Sequence, residues 1–463
     1  MEFKNLSVQP ASMKHIFEIL HVLNLATLNL HQKGNTQWDY PWNKEDIAPD
    51  IEAAHAYVVV LNFQTIATFF VEKNSSPTAI EIKAGSVYLD LVAILPEFQS
   101  EEMEAYIINY AKELVGIKTA DFTMKDYVLN FAKALLAIDS PSGYCMDAIC
   151  FVKEEVERLG YETTMNAKGN LIIDIPGNSE KTVGLSAHVD TLGLMVRSIK
   201  GDGTLTFTPI GGPILPTYDG EYCRIHTRAG NVYTGTVLSN QTSVHVHKEA
   251  STAGRNADNM HIRIDERVKS KDDVIKLGIQ NGDFVAIETK TQVTESGFIK
   301  SRFLDDKISV SCLVGILAHL KENQIPVRHH TKMIISTYEE VGHGSSQIPT
   351  EIKELIAVDM GCIGEDLACT EYDVSICAKD SSGPYDYALT SKLINLAKDE
   401  KLNYVVDIYP MYGSDVSAAL RGGNDICGAL IGPGVAASHG MERTHWDGVE
   451  STIKLLLAYL GSE

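Results

Sequence analysis

Apolar residues recur at helical spacing from Met13 to Leu30, where Ile16, Ile19, Leu20, Leu23 and Leu30 share a face and Thr27 is its polar gap. Strand-like runs follow at Ala56–Leu61, Ile66–Val71 and Val87–Ile94. Pro96 interrupts, and Glu101–Val115 resumes helical spacing with Tyr106, Ile107, Tyr110 and Ala111 on one side. The stretch Gly116–Phe122 reads as a linker. Helices are then predicted over Lys125–Leu136 and Asp147–Leu159, and strands over Asn170–Ile175 and Thr182–His188. From about Gly203 to Gly297 the texture changes: short apolar runs at Leu205–Ile210, Tyr222–Thr227, Val232–Leu238, Ile262–Ile264 and Phe284–Thr289 are separated by Gly, Pro and Asn turns. That pattern predicts a small, mostly β module inserted into the second domain. An α/β rhythm resumes with Val310–Leu320 (helix), Thr331–Thr337 and Leu355–Asp359 (strands), Ala388–Glu400 (helix) and a closing helix at Val449–Leu460.

Composition narrows the class. A chain of 463 residues exceeds one ordinary core, and 44% hydrophobic with 22% charged residues is the balance of a soluble globular protein. The formal net charge of -21 speaks against nucleic acid, whose phosphates call for a basic patch. No apolar run reaches membrane-spanning length, so no membrane partner is expected. The opening residues lack the blocks of a signal peptide, so a cytoplasmic location is expected. Eight cysteines are scattered without a C-x-x-C, which points to neither a thiolate metal site nor a redox motif.

Polar residues that packing does not require collect at the carboxyl ends of several predicted strands, where open α/β sheets place ligands. Thr182–Ala187 runs into His188-Val189-Asp190. An imidazole and a carboxylate so spaced can divide a metal site between ligation by His188 and ring orientation by Asp190; a plain turn is the other reading. Asp305 and Asp306 stand just before a helix beginning near Ile308. Either reads as an acidic cap favoured by the helix dipole, or as a carboxylate held rigidly enough to bridge two cations. Glu339-Glu340 directly follows the strand Thr331–Thr337. Buried together these side chains would repel, and one would protonate unless a cation compensated. Metal chemistry gives them separate tasks, one ligating and its neighbour taking a proton from water; a solvated acidic turn stands against that. Asp359 adds a hard oxygen ligand at another strand end, and either His439 or His445 adds a second imidazole. Two histidines and three carboxylates suit a pair of zinc or cobalt ions sharing a bridging carboxylate.

These motifs, in this order, resemble the TET-type metallo-aminopeptidases of peptidase family M42, which includes glutamyl and deblocking aminopeptidases. The likeness runs from Met124 to the C-terminus through Ser140-Pro141-Ser142-Gly143, Ala187-His188-Val189-Asp190, Pro209-Ile210-Gly211-Gly212 and Leu304-Asp305-Asp306. It continues through Glu339-Glu340-Val341-Gly342, Val358-Asp359, Tyr412-Gly413-Ser414-Asp415 and Ser438–His445. The resemblance implies an α/β, mixed-sheet metallopeptidase domain over residues 124–202 and 299–463. Residues 203–298 would form an inserted small β-barrel-like domain through which subunits dimerise, the dimers building tetrahedral dodecamers. It implies that His188, Asp305 and Asp359 hold one divalent ion, zinc or cobalt, and that Asp305, Glu340 and His439 hold the other. Glu339 would be the general base and Asp190 the orienter of His188. The implied activity removes N-terminal residues from short peptides.

Residues 1–117 depart from that family. Leu91-Val92-Ala93-Ile94-Leu95-Pro96-Glu97-Phe98-Gln99 before a helix resembles the acetyl-CoA-binding turn of GNAT acetyltransferases, where a glycine-rich turn lets backbone amides grip pyrophosphate. Here Ser100-Glu101-Glu102-Met103-Glu104 brings three carboxylates and no glycine, so a partial, non-catalytic α+β GNAT-like domain is expected. Two rivals remain open for the whole chain. A metal-dependent deacetylase or amidohydrolase would use the same ligands, and a catalytically silent assembly protein would keep the fold. A glycosidase needs two carboxylates free of metal and ranks last. Acidic side-chain specificity would call for a cation, with Lys379 and Arg421 as candidates.

Overall fold

A computed structural model of the chain describes residues 6–34, 38, 40–53, 55–61, 64–72, 80–83, 87–100, 103–108, 110–111 and 123–462. The expected linker at 116–122 lies outside the described residues, as do Glu101 and Glu102. The chain divides into two compact units, Met1–Thr123 and Met124–Glu463.

The first unit is a five-stranded antiparallel sheet ordered Leu6–Pro10, Ala56–Leu61, Gln64–Glu72, Val87–Ile94, Ile80–Lys83. Side chains alternate across a strand, and the two faces bury different partners. Val58, Phe70 and Ala93 pack with Ile16, Ile19, Val22 and Leu23 of the helix Ile16–Gln32. Tyr57, Val59 and Phe69 pack with Met103, Ile107 and Ala111 from the opposite side.

The second unit is built on a large mixed sheet. Its path runs Gly383–Pro384, Val374–Asp380, Cys427–Val435, Ile352–Val358, Thr182–His188, His330–Ser336, Leu171–Ile175, Glu162–Met165, with Tyr404–Ile408 also paired to Val374–Asp380. The four central strands, Cys427–Val435 to His330–Ser336, are mutually parallel. The buried helix Leu304–Glu322 crosses this sheet, and Met124–Leu136 and Trp446–Gly461 pack on it. The inserted module is a closed barrel of Gly193–Ile199, Leu205–Ile210, Met260–Ile264, Val232–Ser239, Tyr222–His226 and Phe284–Ile287. It therefore takes its first strand from residues before 203, which the sequence reading left with the catalytic domain. Among the described residues no helix is long and apolar enough to cross a membrane.

One central strand escaped the hydrophobic pattern. Cys427–Val435 carries Gly428, Gly432, Pro433 and Gly434, a turn-like composition. The glycine at 432 is there because a Cβ would fall 1.3 Å from the Asp359 carbonyl oxygen. Close backbone approach, not a turn, accounts for it.

Candidate metal centre

His188 ends its strand, and Ser336, which ends the parallel neighbour, is its register partner. The segments that follow, Val189-Asp190 and Thr337–Glu340, therefore leave the sheet side by side, while Asp359 follows Val358 of the neighbour on the other flank. Asp305 and Asp306 lie at the head of the helix Leu304–Glu322 with non-helical φ/ψ angles, joined by a cis peptide.

These segments bring the candidate side chains together. His188 Nε2 lies 3.2 Å from Asp305 Oδ1 and 3.6 Å from Glu339 Oε2. His439 Nε2 lies 3.6 Å from both Asp305 Oδ2 and Glu340 Oε2, so Asp305 stands between two imidazoles. One potential ligand atom from each of His188, Asp305 and Glu340 falls within 4.8 Å of the others, and the same holds for His188, Asp306 and Asp359. Both rings are pinned by their far nitrogen: His188 Nδ1 donates to the Asp190 carbonyl and His439 Nδ1 to the Gly212 carbonyl, each at 2.9 Å. That leaves Nε2 of each free to ligate. His445 points elsewhere, its Nε2 bonded to the Ser296 carbonyl.

Asp190 holds more than the ring. Its carboxylate is 3.4 Å from His188 Nδ1, and it accepts the N–H groups of Glu339 (3.0 Å) and Glu340 (3.2 Å) and the Ser142 hydroxyl (2.5 Å). It thus ties the glutamate pair to the histidine strand. Two residues outside the implied ligand set also belong to the centre. Asp306, fully buried, accepts the His188 N–H at 3.2 Å. Glu442, 2% exposed, accepts the N–H groups of Asp305 (3.0 Å) and His439 (2.9 Å). The second bond helps to hold His439 at φ 65°, a backbone region that non-glycine residues adopt at a cost. The adjacent-acid pattern flagged Asp306; no local pattern flags Glu442.

Electrostatics fit a cation. Burial, reinforced by the neighbouring carboxylates, pushes Glu339, Glu340 and Asp306 well above the usual carboxylate range. Burial and the Asp305 charge raise Asp359 to about 7. For His188, burial opposes the charged ring, but the carboxylates of Asp190 and Asp305 beside it outweigh that and hold its pKa well above the ordinary value. The buried atoms His188 Nε2, Glu340 Oε1 and Asp306 Oδ1 have no hydrogen-bond partner. Crowded acids beside orphaned lone pairs are what divalent ions would satisfy.

A stability prediction follows for metal-free protein. Asp359 ionises near pH 4 when unfolded but near 7 when folded, so its contribution declines as pH rises through that window. His188 favours the fold fully below about 6.5 and loses that benefit as pH rises towards its folded pKa. Both act in one direction. The melting temperature of chelator-treated protein should fall from pH 6 to 8, and its gap below the metal-loaded protein should widen. Parallel curves in scanning calorimetry would refute this.

The fold and the residue set have relatives. Residues 169–455 match the M42 glutamyl aminopeptidase family. The chain is 48% identical over 328 residues to the provisionally named aminopeptidase YhfE of Bacillus subtilis, covering 70% of this chain and 95% of that protein. The chain belongs to the M42 family. It is a metal-dependent aminopeptidase, a peptide hydrolase. Other relatives lie further off. A lysyl aminopeptidase of Pyrococcus furiosus is 28% identical over 182 residues, covering 39% of this chain and 50% of its own. A TET aminopeptidase from a marine-sediment Thaumarchaeota archaeon superposes with a TM-score of 0.66 at 18% identity, covering 73% of this chain and 97% of its own. The TET1 peptidase of Pyrococcus horikoshii, which can assemble into a tetrahedron or a large octahedral shell, gives 0.63 at 21% identity over 73% and 100%. The mixed α/β fold is thus that of the TET peptidases.

In this M42 chain the centre opens into a cavity of about 640 Å³. Asp305, Glu339, Glu340, Asp359 and His439 line its base, and Ile214, Met360, Ile363, Met411 and Val435 supply apolar wall. Arg421 also lines it; Lys379 does not, and its ammonium is bonded to the Asp380 carbonyl.

Proposed function

We propose that this aminopeptidase works with two divalent ions, zinc or cobalt, and removes the N-terminal residue from short peptides. The observation that carries the reading is Asp305, set between His188 and His439 with an oxygen toward each. His188, Asp305 and Asp359 would hold one ion, and Asp305, Glu340 and His439 the other. Asp306, close to His188 and Asp359, is a further donor to the first. When bound, the ions supply Lewis-acid polarisation of the scissile carbonyl and acidify a water. Glu339 lies beside His188 with its carboxylate at the cavity base and takes the proton of the attacking water, later passing it to the leaving nitrogen. Asp190 fixes the tautomer of His188 through its carbonyl and the place of Glu339 through its carboxylate.

A free substrate amine would meet the carboxylate-rich base of the cavity, which is the reason for amino-terminal polarity. A peptide blocked by N-acetylation should be cut at least about 10²-fold more slowly than its free-amine twin, since a misplaced substrate forfeits a pre-oriented attack. Equal rates, or release of C-terminal residues, would support the amidohydrolase reading instead.

The subunit acts as a homo-oligomer in this proposal, with the barrel as the dimerisation element; the assemblies formed by the Pyrococcus horikoshii TET1 peptidase support it. Residues 1–117 are proposed to be a non-catalytic, GNAT-like appendage. All eight assigned site residues lie beyond Met124, within a unit that has its own continuous core. Protein starting at Met124 should therefore retain kcat within about twofold. A folded, metal-loaded but inactive product would show a catalytic part for the first unit.

A further inference from the structure

Tyr412 lines the cavity beside Asp359, Glu339 and Asp305, and none of the roles above uses it. Its backbone is fixed: the Tyr412 carbonyl accepts both the N–H (3.1 Å) and the hydroxyl of Ser381. Its ring meets Tyr409 edge-on at 5.2 Å, and Tyr409 is itself 1% exposed with its hydroxyl bonded to Ser375. The phenol oxygen lies 3.4 Å from the carbonyl of Met360, the residue after Asp359. That distance is at the long end for a hydroxyl donor, and the phenol is also within hydrogen-bonding reach of the Asp359 carboxylate, where it counters part of the rise in that group's pKa, so its proton is held at the reacting region.

The side chains of the cavity base offer few other free donors. Its carboxylates only accept when ionised. Ser438 donates to Asp305, and Ser414 is shared between Tyr385 and the Ser417 N–H. Arg421 is exposed and bonded to Ser382. During hydrolysis the water oxygen bonds to the scissile carbon, the water proton goes to Glu339, and the carbonyl π pair moves onto oxygen. That oxygen develops negative charge in a wall of carboxylates, where a positioned neutral donor has its largest effect.

We propose that Tyr412 is a further catalytic residue, its hydroxyl donating a hydrogen bond to the scissile carbonyl oxygen as the tetrahedral species forms and keeping its own proton throughout. This rests on the metallo-aminopeptidase reading of the site. The test is Tyr412→Phe in the full-length, metal-loaded enzyme, which removes one oxygen and keeps the ring. Expected are a fall in kcat on the order of 10²-fold with KM within about twofold, unchanged bound metal by elemental analysis, and an unchanged melting temperature. A tetrahedral phosphonate analogue of the substrate should bind more weakly by a similar factor, while the free product amino acid binds as before. Unchanged kcat in the variant, with an active wild type, would overturn the proposal and leave the peptidase reading intact. A loss of activity matched by loss of metal, or equal weakening of analogue and product, would assign Tyr412 a supporting role and also overturn it. A metal-loaded wild type that cuts no free-amine peptide would overturn both.

Discussion

Glu340→Gln and His188→Ala should each leave a folded protein with depleted metal and activity reduced by roughly a thousandfold or more. The magnitude follows from the several kcal/mol that a bound cation contributes at a developing charge, taken at about 1.4 kcal/mol per tenfold in rate. Glutamine keeps the shape of Glu340 but loses the charge that faces His439 at 3.6 Å, and its buried Oε1 already has no protein partner. Alanine at 188 removes the imidazole common to both potential ligand groups. Elemental analysis and circular dichroism separate the outcomes. Full metal content with full activity in the double variant would remove the site assignment altogether.

Glu339→Gln should behave differently from its neighbour. Both ions stay bound, KM changes little, and kcat falls by roughly 10²–10⁴, the range for losing a general base. The geometry separates the two glutamates. Glu340 faces His439 and is 4% exposed, whereas Glu339 faces His188 and is 14% exposed at the cavity base. A glutamine at 339 can still accept a hydrogen bond from water through its amide oxygen but is too weakly basic to take the proton, so the defect lies in the chemical step. If this variant loses metal and recovers turnover when metal is restored, the two glutamates have exchanged roles.

How far these assignments could be read in advance varied residue by residue. The strand ending in His188 and the one preceding Glu339 were visible because a buried central strand is a continuous apolar run bounded by polar residues. Their being parallel neighbours with Ser336 level with His188 was not visible, since register is a long-range property. Local spacing left His439 and His445 equivalent. Tertiary contacts separate them: His439 is turned toward Asp305 by the Gly212 carbonyl, and His445 caps the helix Trp446–Gly461 by accepting the Asp447 N–H. Cys427–Val435 was missed because its glycines are demanded by Asp359 and Thr370 pressing on the strand, a cause that lies far away in the chain.

The sequence by itself determined the kinds of group present and their local setting: acids and imidazoles at strand ends, a β-rich insertion, and motifs ordered as in M42 peptidases. Those depend on side-chain chemistry and short-range periodicity, which neighbouring residues encode. Only the tertiary structure decided that Asp306 joins the centre, that Glu442 braces both Asp305 and His439, and that Asp190 grips the glutamate pair as well as the histidine. Each of these joins segments far apart in the chain, and which donor meets which acceptor is set by how the buried polar groups of the whole core find partners.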